Sequence, residues 1–208
     1  MIDDTGLSHS VFGTPGAERL VVIVGSGIAV TADPLPAETA ARNVCVLAVA
    51  IGRDALEDTG TFGSETPAEQ TAAALADLIR DSLAATPRES DPGKAQTAAI
   101  VGYREGADVA LRAAVELGDT IDRLALVAVA APAEPLDRDD LGALIEGVTA
   151  KTLIMNGRQD KTAAAAAAGW YKDHLVSARV EMVPAESALS LSAVWGRVLS
   201  HAAPGTMR

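Results

Sequence analysis

The residues best placed to do chemistry stand beside glycines that follow apolar runs. In Ala98-Ala99-Ile100-Val101-Gly102-Tyr103-Arg104-Glu105-Gly106-Ala107 an apolar strand enters a glycine-flanked turn and a helix starts at once. Arg104 and Glu105 occupy the tip of that turn. An arginine stays protonated and cannot attack a carbonyl. At a helix N-terminus, where free backbone N–H groups and the macrodipole favour anions, it is suited to hold a carboxylate or phosphate. Its plainer role is an ion pair with Glu105, Asp160 or Glu186. A second glycine loop, Gly25-Ser26-Gly27, follows the apolar run Leu20 to Val24, and Gly157-Arg158-Gln159-Asp160 supplies a carboxylate after another. Glu186 lies after the last predicted strand and offers a further acid or base. Nucleophilic catalysis needs a nucleophile, a base within reach of it and an acid that orients the base. The three histidines, His9, His174 and His201, lie before the first long strand or in predicted helices, so none stands beside these loops. Ser26, Ser187 and Ser190 are hydroxyls with no histidine nearby in sequence, and loop serines commonly serve turns and caps.

The order of these pieces resembles that of the α/β-hydrolase family, whose nucleophile lies on a G-x-S-x-G strand-to-helix elbow. Here that frame reads Gly102-Tyr103-Arg104-Glu105-Gly106, with Arg104 where the serine belongs. Gly25-Ser26-Gly27 is similar to the glycine loop whose backbone N–H helps to form an oxyanion hole, with Val24 in place of the usual histidine. The following strand ends at Ile51-Gly52-Arg53, where the family often has an aspartate and a glycine-rich loop. Asp160 matches the position of the triad acid. Pro184 to Leu189, where the catalytic histidine belongs, contains none. The resemblance implies a cleft at the C-terminal strand ends lined by Ser26, Gly27, Arg104, Glu105, Asp160 and Glu186. It also implies a chain without the family's nucleophile and base, in which Asp160 has nothing to orient.

The elements that would position these residues alternate along the chain. Strands are expected at Leu20 to Val24, Asn43 to Ala50, Ala98 to Tyr103, Ile121 to Val129, Thr152 to Met155 and Arg179 to Val183, with a short edge strand at Ser10 to Phe12. The unbroken apolar character of Leu20 to Val24 marks a strand buried on both faces. Thr66-Pro67-Ala68-Glu69 reads as a capped helix start. Further helices are expected at Val109 to Leu117, Asp139 to Ile145, Ala163 to Leu175 and Leu189 to Leu199. Strands and helices in this alternation give an α/β fold, a mostly parallel sheet with helices on both faces. The stretch Ala130 to Lys151 holds one short helix, so a single domain without a cap is expected.

Composition narrows the function classes. The chain has 208 residues, 49% of them hydrophobic but only 3% aromatic, so alanine, valine and leucine must fill the core. A net charge of -11 repels phosphate backbones and anionic lipid, which disfavours nucleic acid and membrane surfaces as partners. The single cysteine, Cys45, forbids an internal disulfide and reads as core filler. An acidic N-terminus with no long apolar run after it suggests a cytoplasmic protein. Trp170 and Tyr171, read as exposed on an alanine-rich helix, would mark a homo-oligomer contact. No cofactor or metal is implied.

Three readings of function follow. The first is a non-catalytic relative of the hydrolases that binds a small ligand, anionic if Arg104 holds it, or a partner protein. The second is a hydrolase with a rearranged site acting on an ester, thioester or anionic substrate. The third is a nucleotide-binding protein, because Val22-Ile23-Val24-Gly25-Ser26-Gly27 also resembles the start of a dinucleotide fingerprint. Against the third, Val30 replaces the last glycine, Pro34 and Pro36 interrupt the helix that should follow, and Val49-Ala50-Ile51 lacks the ribose-binding acid.

Overall fold

The computed structural model describes residues 7–17, 19–26, 32–52, 67–85, 96–185 and 189–207. Seven strands form one sheet: β1 (Leu7–Gly13), β2 (Arg19–Ser26), β3 (Val44–Ile51), β4 (Ala98–Tyr103), β5 (Ile121–Val127), β6 (Lys151–Gly157) and β7 (Ala178–Val183). Their spatial order is β1-β3-β2-β4-β5-β6-β7. Every pair is parallel except β1 with β3, which is antiparallel at one edge. The helices are α1 (Pro36–Ala40), α2 (Pro67–Ala84), α3 (Gly106–Leu117), α4 (Pro135–Ile145), α5 (Ala165–His174) and α6 (Leu191–Ala202).

Side chains alternate across a strand, so the apolar run of β2 feeds two cores. Leu20, Val22 and Val24 pack under α2, α3, α4 and α5. Val21 and Ile23 face the opposite layer, where α6 brings Val194, Trp195 and Val198. The scarcity of aromatics is met by close approach. Ala107, Ala110, Ala113 and Ala114 of α3 are all buried on the sheet. Trp195 is fully buried, and its indole N–H donates to Thr39 Oγ1 at 2.9 Å, tying α6 to α1.

The ends of several elements differ from expectation. β1 runs from Leu7 to Gly13 because β3 pairs with all of it. Pro36 opens α1 instead of breaking a helix, as proline can at a first helical position. β5 stops at Val127 rather than Val129 because Ala128 turns to φ +56°, outside the strand region. α6 begins at Leu191 and not at Leu189, with Ser190 Oγ accepting from Ala193 N at 3.4 Å as its cap. Thr66, the expected cap of α2, lies outside the described residues.

One further expectation is corrected. Tyr171 is buried, its hydroxyl donating to Ala130 O at 2.9 Å, and Trp170 is half-buried against the Tyr171 and His174 rings. Their apolar surface faces the protein interior, which removes the reason for reading them as an oligomer contact. Cys45 is half-buried at the core margin, and burial pushes its thiol pKa up.

Candidate active site

The sharp turn between β4 and α3 is built as its glycines require. A Cβ on Gly106 would lie 2.4 Å from Val24 O and 2.6 Å from Gly25 Cα. A Cβ on Gly102 would lie 2.8 Å from Ala107 Cα. Both contacts are with backbone, so neither position accepts a side chain without moving β2 or α3. Arg104, between them, has φ +52°. That left-handed conformation costs an L-residue roughly 1–2 kcal/mol. Arg104 N donates to Val127 O and Ala107 N to Arg104 O, both at 3.0 Å, which pins the turn at each end.

The sheet's C-terminal edge opens into a cleft of about 990 Å³ between α2, α3 and α4. Arg104, Glu105 and Asp160 all line it, as expected. Gly27 and Glu186 lie outside the described residues. Ser26 ends β2 and reaches the site through Glu105, donating from Oγ to Glu105 Oε2 at 3.0 Å.

Arg104 is exposed, and among the described residues no carboxylate pairs with it; its guanidinium lies 5.1 Å from the centroid of the Tyr103 ring. The expected ion pair with Glu105 or Asp160 is therefore corrected. Glu105 is engaged by Ser26, while Asp160 belongs to a turn of its own. Asp160 is buried, and its Oδ1 accepts from Thr162 N at 2.9 Å and Ala163 N at 3.0 Å.

No histidine lines the cleft. His9 is exposed on the edge strand β1. His174 packs against Trp170 and fills the space over Gly142 of α4. His201 Nε2 is 3.0 Å from both Leu124 O and Lys151 O. Lys151 opens β6, so His201 sits toward the end of the sheet opposite the cleft.

Several residues in the cleft walls and behind them were not foreseen. Asn156, fully buried at the end of β6, accepts from Val129 N at 3.0 Å and donates to Val129 O at 2.9 Å. It holds the chain that leaves β5 to form one wall. Tyr171 holds the next residue through Ala130 O. Burial, with Asp108 second, raises the Tyr171 phenol far above its ordinary range, so it remains a donor. On the opposite wall Arg112 binds Asp108 from Nε at 3.0 Å and Glu69 from NH1 at 3.3 Å. The i,i+4 spacing of Asp108 and Arg112 was the available signal for that pair. Nothing local marked Asn156, whose partner is 27 residues away.

This strand order, the glycine-constrained turn and the cleft can be set against solved structures. The thioesterase domain from the curacin biosynthetic pathway superposes with a TM-score of 0.67 at 14% identity, over 93% of this chain and 93% of that one. Esterase PE8 superposes with a TM-score of 0.67 at 15% identity, covering 94% and 99%. The chain has the α/β-hydrolase fold. A lipase-esterase related protein from Clostridium acetobutylicum shares it with a TM-score of 0.65 at 10% identity, covering 95% and 99%. No protein-family model and no curated protein sequence matches the chain. The strand-to-helix turn carrying Arg104 stands where the α/β-hydrolase fold places its nucleophile elbow. Among the described residues that follow β2, the first helix, α1, starts at Pro36.

Proposed function

We propose that this α/β-hydrolase-fold chain is a small-molecule binding protein that does not carry out serine hydrolysis, and that Arg104 holds an anionic group of its ligand. The observation that carries the reading is an elbow kept in its strained form, with an arginine at the tip that pairs with no carboxylate among the described residues. Strain at φ +52° persists where the surroundings over-determine it, and such positions cluster at functional sites. A side chain held there is presented to the cleft. The N-terminus of α3, which has no side-chain cap, adds backbone N–H groups and the positive end of its dipole. The cleft volume falls in the range typical of small-molecule sites, which favours a small ligand over a partner protein.

Glu105 argues in the same direction. An oxyanion hole uses the backbone N–H of the residue after the nucleophile together with one from the first glycine loop. Here the Glu105 carboxylate spans from that residue to Ser26, so negative charge stands beside the place where an oxyanion would develop. Calorimetric titration with acetate and inorganic phosphate tests the arginine. Wild type should bind at least one of them, and Arg104→Ala should weaken it about tenfold, the worth of a lost charge-assisted contact. Equal affinities would reject the reading.

One observation favours a second reading, a hydrolase with a rearranged site: the Ser26 hydroxyl already donates to the Glu105 carboxylate. A carboxylate is by itself a weak base for a serine hydroxyl. Ester turnover lost in both Ser26→Ala and Glu105→Gln would establish it.

A further inference from the structure

Tyr103 is the last residue of β4 and keeps its alternation: with Ala99 and Val101 it faces the core layer that α6 covers. It is 5% exposed, stands in register with Val127 of β5, and donates from its hydroxyl to Leu189 O at 3.2 Å. The ring is thus fixed at one end by the sheet and at the other by the chain that leads into α6. A residue that continued the strand after Tyr103 would point to the opposite face of the sheet. The φ of +52° at Arg104 ends that alternation, and the guanidinium carbon lies over the Tyr103 ring, 5.1 Å from its centroid. At that range the ring quadrupole attracts a cation.

An exposed arginine samples many rotamers, and fixing one of them when a ligand arrives costs affinity. A side chain that already rests on a rigid partner has met part of that cost beforehand. The kind of partner matters as much as its presence. A carboxylate would hold the guanidinium through its N–H donors, commonly two at once, and would neutralise the charge that an anion needs. An aromatic face holds it through the π system, so all five N–H donors and the full charge stay available. Among the described residues Arg104 pairs with no carboxylate, and the ring is the partner that it has.

We infer that Tyr103 is the positioning residue of the anion site: its ring holds the Arg104 guanidinium in place while leaving the charge and the N–H donors free for the ligand. The inference rests on the reading that Arg104 binds an anionic group. It divides the tyrosine into two parts with separate tasks. The ring serves the arginine, and the hydroxyl, bonded to Leu189 O inside the core, serves the fold. Tyr103→Phe removes only the second part. Tyr103→Leu also removes the π face while leaving an apolar side chain in the core.

The test joins NMR of the isotope-labelled full chain to calorimetric titration with acetate and inorganic phosphate. In wild type the Nε–H signal of Arg104, assigned by its absence in Arg104→Lys, should be shifted upfield by the ring current of Tyr103. The shift should persist in Tyr103→Phe and vanish in Tyr103→Leu. Affinity for whichever anion wild type binds should stay within about twofold in Tyr103→Phe and weaken about fivefold in Tyr103→Leu. Thermal unfolding supplies the control. Tyr103→Phe strands a buried carbonyl and should melt lower than wild type while binding as well, a split that a merely structural tyrosine would not produce. An Arg104 signal at the ordinary arginine position in wild type would overturn the inference, even if Tyr103→Leu does not fold. So would anion affinity that falls as far in Tyr103→Phe as in Tyr103→Leu. Affinity lost in Arg104→Ala but unchanged in Tyr103→Leu would reject the role of Tyr103 and leave the arginine reading standing. Affinity unchanged in Arg104→Ala would reject the arginine reading itself, and the inference with it.

Discussion

Arg104 stands at φ +52° although glycine would occupy that conformation without a Cβ penalty. If the arginine is kept for its side chain, Arg104→Gly should relax the elbow and raise unfolding stability by up to about 1 kcal/mol while removing anion binding. Urea denaturation beside ligand titration measures both. A variant less stable than wild type would show that the Tyr103 contact outweighs the strain. Asn156 is a different kind of residue, fully buried and satisfied by Val129 N and O. Asn156→Leu strands a buried donor and acceptor and should cost about 3 kcal/mol, read as a fall in the denaturation midpoint. A change below about 0.5 kcal/mol would mean that the wall of the cleft stands without its clamp. These two residues mark how legible the site was. Arg104 and Asp160 were visible because each follows an apolar strand and a glycine. Asn156, Tyr171 and the Arg112 cluster were not, because their roles depend on partners far along the chain or on neighbouring helices.

At the level of elements, the elbow is a packing device before it is a site. Gly106→Ala would force a Cβ to 2.4 Å from Val24 O, and no flexible side chain is there to yield. A loss of about 3 kcal/mol is expected, at the upper end for overpacking, with β2 and α3 pushed apart. Thermal unfolding checks it, and an unchanged midpoint would refute the close approach. The same packing explains why the central strands were easy to read from sequence. β2, β3 and β4 are buried on both faces and appear as unbroken apolar runs. The edges were harder. β1 alternates between exposed and half-buried residues, and α1 is a five-residue helix whose proline reads as a breaker in isolation. Element ends also depended on tertiary contacts, as where Ala128 leaves β5 and Ser190 caps α6.

For the molecule as a whole, the two ends of the sheet are organised differently. The C-terminal end carries the acidic cleft. Toward the opposite end His201 donates from Nε2 to the carbonyls of Leu124 and Lys151, and no described helix is long and apolar enough to cross a membrane. Burial holds the His201 pKa below its ordinary 6.5, despite the two backbone hydrogen bonds that act to raise it. The folded state therefore disfavours the charged ring, while the unfolded chain takes up a proton near pH 6.5. The stability that results is present above that pH and is lost as pH falls through the lower, folded-state value. The drop in melting temperature between about pH 7 and pH 5 should be smaller in His201→Gln than in wild type. Equal drops would show that His201 is not the group responsible. The central claim, that this α/β-hydrolase fold presents an arginine to a ligand instead of a serine to an ester, is tested most directly by turnover. The measurement is hydrolysis of p-nitrophenyl butyrate and a matching thioester by the full chain, with fluorophosphonate labelling of the same sample. The account predicts no turnover above buffer and no labelled residue. Turnover together with labelling of a serine would contradict it.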